Sequence, residues 1–76
     1  MNTNILYCLV EDSGFEEIES RNTLMRSFHN PFYRINIYYN GTVTIQHKNR
    51  INKPISIKNN DIEEIKKELT EALKNL

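Results

Sequence analysis

Apolar and polar residues alternate with a period of two between Phe32 and His47, a pattern typical of two half-buried β-strands. Asn40-Gly41 interrupts this alternation near its middle and marks a hairpin turn. The alternation returns at Ile55 and Ile57, after Pro54, which can begin a strand but lacks the amide that a strand interior needs. The segment therefore predicts a β-hairpin followed by a short third strand.

Two registers are open to this hairpin, and the hydrophobic pattern distinguishes them. A two-residue Asn-Gly turn would place every isoleucine of the first strand beside a polar residue. A three-residue turn through Tyr39–Gly41, with its glycine in the left-handed conformation, instead pairs Ile37 with Val43 and Ile35 with Ile45. Because a shift of one residue moves every side chain to the opposite face, burial favours the three-residue turn.

The last third of the chain carries a strong helical pattern. Asn60 and Asp61 can cap a helix, and acidic residues follow at its start while Lys74 lies near its end, as the helix dipole favours. The apolar positions form one stripe at helical spacing: Ile62, Ile65, Leu69, Ala72, Leu73 and Leu76. We expect an amphipathic helix that packs this stripe on the sheet.

The first third of the chain predicts one strand and one helix. Ile5–Val10 is a six-residue apolar run rich in β-formers, which is the length of a strand. Ser13-Gly14-Phe15-Glu16 then matches a capping box. The apolar residues that follow have helical spacing: Phe15, Ile18, Met25 and Phe28. This pattern predicts a helix from about Gly14 to Phe28, and Pro31 prevents its extension beyond Asn30.

The predicted element order is β-α-β-β-β-α, in an α+β fold. We expect residues 1–76 to form a single small domain, with a small, mainly antiparallel sheet and two helices packed on one face. A chain of this length supplies only roughly 3–5 kcal/mol of net stability from its core. A homodimer is therefore one alternative.

Composition and termini favour a cytoplasmic protein without a membrane segment. The one cysteine, Cys8, cannot form an internal disulfide, which excludes a disulfide-stapled secreted scaffold. The N-terminus has no basic leader, and no stretch approaches the ~20 apolar residues that cross a bilayer. Because Cys8 lies in the most apolar segment, we expect a buried structural thiol rather than a reactive one.

The pattern of chemically active residues does not predict an enzyme. His29 and His47 lie eighteen residues apart and lack metal-motif spacing, with or without Cys8. The carboxylates Glu16, Glu17 and Glu19 fall in the first turn of the predicted helix, where acids are favourable regardless of function. With two glycines, the chain has no phosphate-cradling loop. We expect no catalytic residues, no cofactor and no metal.

The net charge of zero conceals an uneven distribution along the chain. Residues 1–20 contain five acids and no Lys or Arg, whereas residues 21–58 contain seven Lys or Arg and no acid. Residues 59–76 return to five acids against three lysines. Either acidic helices and a basic sheet offset each other within the fold, or the basic segment forms a face for an anionic partner.

In the predicted register, part of the basic segment shares the outward face of the hairpin. The candidate partner-binding residues on this face and on the loop beyond it are Arg34, Asn36, Tyr38, Lys48, Arg50, Lys53 and Lys58. The leading hypothesis is a non-enzymatic protein-binding module, for example a small phage or mobile-element inhibitor of a host protein. The alternatives are a nucleic-acid-binding domain that uses the same face, and a structural homodimer.

Overall fold

The fold is a five-stranded antiparallel sheet whose strands lie side by side in sequence order, with one helix before the first strand and one after the last. The structure is a computed structural model that describes residues 2–49 and 53–76. Both helices contribute to one core with the same side of the sheet, which confirms the predicted α+β class and packing. The elements are α1 Asn4–Asp12, β1 Glu16–Ile18, β2 Met25–His29, β3 Tyr33–Tyr38, β4 Val43–His47, β5 Ile55–Ile57 and α2 Ile62–Lys74.

The predicted hairpin and its register are confirmed. Ile37 lies opposite Val43 and Ile35 lies opposite Ile45, and none of the four side chains is more than 2% exposed. The Tyr38 amide donates to the Thr42 carbonyl at 2.8 Å, which closes the three-residue turn. Gly41 in that turn has a φ of +94°, in the left-handed region that favours glycine. The isoleucine spacing, more than the Asn-Gly pair, therefore identified the register.

The predicted C-terminal helix and third strand are also confirmed. The Asp61 carboxylate accepts the Glu63 amide at 3.0 Å and caps α2. Ile65 and Leu69 are fully buried, and Ile62, Ala72 and Leu73 pack against the core at its edge. Leu76 is the exception to the predicted stripe, since it follows the end of the helix and is 40% exposed.

The prediction of a strand at Ile5–Val10 is wrong, because these residues belong to α1. Leu6, Tyr7 and Val10 are buried on one side of the helix. The exposed positions have helical spacing on the other side: Asn4, Cys8, Glu11 and Asp12. The predicted burial of Cys8 is also wrong, since its thiol lies on the solvent side of α1. The run is apolar on one face of a helix rather than on both faces of a strand.

The predicted capping box at Ser13–Glu16 is the end of α1 instead of the start of a second helix. Ser13 is the C-cap, and Gly14 follows it with a φ of +90°. The amides of Gly14 and Phe15 donate back to the Glu11 and Val10 carbonyls at 3.1 and 3.3 Å. Ser-Gly is here a stop signal for the preceding helix.

The predicted helix from about Gly14 to Phe28 is wrong, because this segment forms the hairpin of β1 and β2. The polar residues between the strands form turns with their own side chains. Ser20 Oγ accepts the Asn22 amide at 3.2 Å, and Asn22 Oδ1 accepts the Leu24 amide at 2.9 Å. These hydrogen bonds use backbone amides that, in a helix, would donate to carbonyls of the preceding turn. The element order is therefore α-β-β-β-β-β-α.

The sheet has one side covered by the helices and one side that faces away from them. Phe28, Ile35, Ile37, Val43 and Ile45 face the helices and form the core with them. We call the opposite side the open face. By strand register it carries Glu16, Ile18, Met25, Ser27, His29, Arg34, Asn36, Tyr38, Thr44, Gln46 and Ser56.

An ion pair joins β1 to β2 on the helix side. Arg26 Nε and Nη2 each donate to a carboxylate oxygen of Glu17 at 2.6 Å, and the guanidinium lies 4.1 Å from the centre of the Tyr7 ring. The hydrogen bond from Arg26, together with its positive charge, lowers the pKa of Glu17 below 4.5, although partial burial opposes this shift. The same hydrogen bond raises the pKa of Arg26.

The Glu17 carboxylate is expected to make stability depend on pH below about 5. Because its folded-state pKa is lowered, its contribution is present above the unfolded-state pKa and is lost as the pH falls through the folded value. The side chains are 35% and 39% exposed, so solvent screening limits the effect to less than about 1 kcal/mol. Urea unfolding should show Glu17→Gln less stable than wild type at pH 7, with the difference disappearing toward pH 3.

Glu19→Gln is the matched control for this effect, since Glu19 is exposed and lies two residues further along the chain. It should lower stability less than Glu17→Gln at pH 7. A difference between wild type and Glu17→Gln that stays constant from pH 7 to pH 3 would contradict the contribution of the ion pair.

Candidate functional site

The centre of the open face is a row of small polar side chains that bond to each other across the strands. Ser27 Oγ donates to Asn36 Oδ1 at 2.8 Å, and Asn36 Nδ2 donates to Thr44 Oγ1 at 3.2 Å. Ser27 is fully buried beneath its neighbours, although no described helix packs on this side of the sheet. The row satisfies its own polar groups and fixes the positions of the larger side chains around it.

One end of the open face is cationic, and we call it the histidine corner: His29, Arg34 and Lys48. His29 and Arg34 lie opposite each other on β2 and β3. Lys48 follows β4, where its amide donates to the Phe32 carbonyl at 2.9 Å, and its Nζ lies 2.9 Å from His29 Nδ1. Arg34 makes long contacts of 3.4 and 3.5 Å with Asn36 and Ser27, so its guanidinium remains available to a partner.

The other end of the open face is aromatic and apolar, and we call it the tyrosine end: Met25 and Tyr38. Leu24 and Tyr39 adjoin it just outside the strands and are not on the open face, since Tyr39 lines a recess with Arg26 of the helix side. Met25 and Tyr38 lie opposite each other on the open face. The Tyr39 amide donates to the Leu24 carbonyl at 3.1 Å, which joins the turn residues to this group. Leu24 is 67% exposed and Tyr39 is 51% exposed. Apolar area of this kind, beside arginine, is typical of protein-binding surfaces.

The structure brings some of the sequence-predicted site residues together and separates others. Arg34, Asn36 and Tyr38 share the open face as predicted. Lys48 follows one end of β4, whereas Lys58 lies beside Thr42 at the other end, roughly 20 Å away at the rise of a β-strand. Lys53 is exposed before β5, and Arg50 lies outside the described residues.

Charge is divided between the two layers of the fold. The helices, with the cap Asp61, carry seven acids and three lysines. The described residues between 13 and 60 carry six Lys or Arg and three acids. Within residues 2–49 and 53–76 the only ion pair is Arg26–Glu17, and both of its members belong to the sheet. In that part of the chain, acidic helices therefore do not neutralise the basic sheet through direct pairs.

An apolar recess of about 470 Å³ lies where α1 and α2 end beside the β2–β3 turn. Phe32 is 58% exposed at its rim. The apolar lining residues are Leu9, Phe15, Phe32, Tyr33, Leu73 and Leu76. The sequence pattern did not predict this recess, because its residues come from three segments that only the tertiary fold brings together.

The described residues contain no group of three His, Cys, Asp or Glu side chains that could hold a metal ion. Among the same residues, neither helix has the length and apolar character needed to cross a membrane. In comparisons with known proteins, no family model, curated sequence or solved structure matches the chain. The open face is therefore interpreted from its own chemistry.

Proposed function

We propose that the chain is a non-enzymatic protein-binding module that docks an acidic protein surface on its open face. The observation that supports this proposal is a sheet face that carries Met25 and Tyr38 at one end and Arg34 at the other. Tyr, Met and Arg are enriched in the cores of protein interfaces, and aromatic and arginine side chains contribute most of the binding energy there. The role as a small inhibitor of a host protein is part of the same proposal.

Charge specifies the kind of partner. Glu16 is the only carboxylate among the described residues of the open face, which also carries Arg34, with Lys48 and Lys58 at its two ends. An acidic partner would be attracted to this face and repelled by the acidic helices on the other side, so docking has one preferred orientation. The apolar tyrosine end would supply the desolvated centre of the interface.

Nucleic acid is the second candidate, because Arg34 and Lys48 could contact phosphates while Tyr38 stacks on a base. Protein is favoured over nucleic acid by Ile18 and Met25 on the open face, since apolar side chains of this kind have no role in phosphate binding. A homodimer that uses the open face is a third candidate, and it predicts a melting temperature that rises with protein concentration.

Affinity capture from the native host, with and without nuclease, tests the proposal. We expect a protein that is recovered in both conditions and that binds the purified chain in calorimetry. Arg34→Glu and Tyr38→Ala should each weaken this binding by about tenfold, the effect of losing one central interface contact. Lys67→Glu is the matched control, because it makes the same change of charge on the exposed side of α2 and should leave affinity within about twofold.

Recovery of nucleic acid alone, lost on nuclease treatment, would overturn the proposal. Equal weakening by Arg34→Glu and Lys67→Glu would also contradict it, because that result would reflect net charge rather than a docking face. Urea unfolding of each variant checks that the fold is intact.

A further inference from the structure

We infer that the histidine corner is a subsite for carboxylates of the acidic partner, and that docking there tightens as the pH falls because His29 gains a proton. This inference rests on the proposed function and specifies how one end of the open face would recognise its partner. The cross-strand neighbours His29 and Arg34, together with the Lys48 amine 2.9 Å from His29 Nδ1, place three basic groups at one end of the sheet.

The contact between Lys48 and His29 exists only when the imidazole is neutral. A lysine ammonium has donors and no acceptor, so His29 Nδ1 must accept the hydrogen bond and the ring proton must be on Nε2. An imidazole changes its charge between pH 5 and 8. Protonation of Nδ1 would remove the acceptor and place two positive charges side by side, next to the guanidinium of Arg34.

An anion relieves this repulsion and is therefore bound more tightly by the protonated corner. A carboxylate between the imidazolium and the ammonium would receive hydrogen bonds from both groups, and Arg34 could donate to it from β3. Because binding favours the protonated form, proton uptake and docking are linked, and affinity increases on acidification.

Glu16 is the charged group that opposes this effect. It lies opposite His29 on β1, and the two side chains line a recess of about 330 Å³ together with Lys48. The Glu16 carboxylate can pair with a protonated His29 and so compete with the carboxylate of a partner. The groups that face His29 are thus Glu16 from β1, Arg34 from β3 and Lys48 from the end of β4.

A blocked, fluorescently labelled peptide of ten glutamates is the probe, titrated by anisotropy at constant low salt. Between pH 8 and about 5.5 its own carboxylates remain mostly ionised, so the pH response reports the protein. We expect wild type to bind the peptide about fivefold more tightly at the lower pH, a change in affinity that corresponds to the free energy of one exposed ion pair. His29→Gln should abolish this pH dependence, and Glu16→Gln should tighten binding at both ends of the range.

His47→Gln is the matched control, because it removes the other imidazole of the chain. His47 lies opposite Tyr33 on the helix side of the sheet, with its ring edge-on to the Tyr33 ring at a centroid distance of 4.9 Å. This variant should keep the pH dependence of wild type. Binding by wild type that does not change with pH, or a pH dependence that persists in His29→Gln, would overturn the inference.

The failures of the two proposals are distinguishable. Peptide binding that is weakened by Arg34→Glu but unchanged from pH 8 to about 5.5 would overturn the His29 inference and leave the acidic partner in place. Absence of peptide binding at every pH would overturn both proposals. Tighter binding of a single-stranded oligonucleotide of ten nucleotides than of the peptide would also overturn both.

Discussion

Replacement of Phe28 by alanine is expected to unfold most of the protein at 25 °C. Phe28 is fully buried on the helix side of β2, and its ring stacks on Tyr7 of α1 at a centroid distance of 5.8 Å. Truncation of a buried phenylalanine to alanine costs about 3–5 kcal/mol, which equals the roughly 3–5 kcal/mol that the core of so small a domain supplies. Far-ultraviolet circular dichroism during urea titration should show little folded baseline.

Phe32→Ala is the matched control for Phe28→Ala, because it makes the same chemical change at a side chain that is 58% exposed. It should lower the free energy of unfolding by less than about 1 kcal/mol. If Phe28→Ala unfolds at the urea concentration of wild type, or if the two variants are equally unstable, β2 does not pack against α1 as described.

The elements that the sequence predicted correctly are those in which local pattern and burial agree. In β3 and β4 the alternation, the turn glycine and the pairing of apolar residues all indicate one register. In α2 the cap at Asp61 and the stripe that includes Ile65 and Leu69 indicate the same helix. In each of these segments the local sequence indicates both the secondary structure and the face that is buried.

The helix α1 was missed because the six residues Ile5–Val10 were considered without their flanks. Within that window nearly every residue is apolar, which does not distinguish a strand from a buried helix. Extended to Asn4–Asp12, the segment shows an exposed stripe that includes Asn4, Cys8 and Glu11. The burial of Cys8 was predicted because cysteine is usually a buried residue type, whereas here Cys8 lies on the polar side of the helix.

The hairpin β1–β2 was missed because its stability comes from tertiary contacts. The strand β1 has only three residues and two of them are glutamates, so neither propensity nor alternation marks it. Its pairing with β2 is supported by the contact of Glu17 with Arg26, which in turn packs on Tyr7. The residues Phe15 and Phe28 fit a helical spacing by coincidence, yet both are buried as that spacing implied.

The candidate site follows the same division between local and tertiary information. Arg34, Asn36 and Tyr38 were placed on the correct face because the register of β3 was correct. Met25 and His29 were not recognised as their neighbours, since Met25 fell on the predicted helix and His29 just beyond its end. The proposed docking surface therefore depends on β2, the strand that the sequence pattern did not predict.

Gly41→Val is expected to destabilise the protein by about 2 kcal/mol, since a β-branched residue is strained at the φ of +94° that closes the three-residue turn. Gly41→Asn is the matched control and should cost less, because asparagine tolerates positive φ better than valine. The urea midpoints of both variants measure the difference. The proton chemical shifts of Ile35 and Ile45 in wild type and Gly41→Asn test whether the register is kept. Equal stability of the two variants would mean that this turn does not impose left-handed backbone at residue 41, and the pairing of Ile37 with Val43 would lose its geometric support.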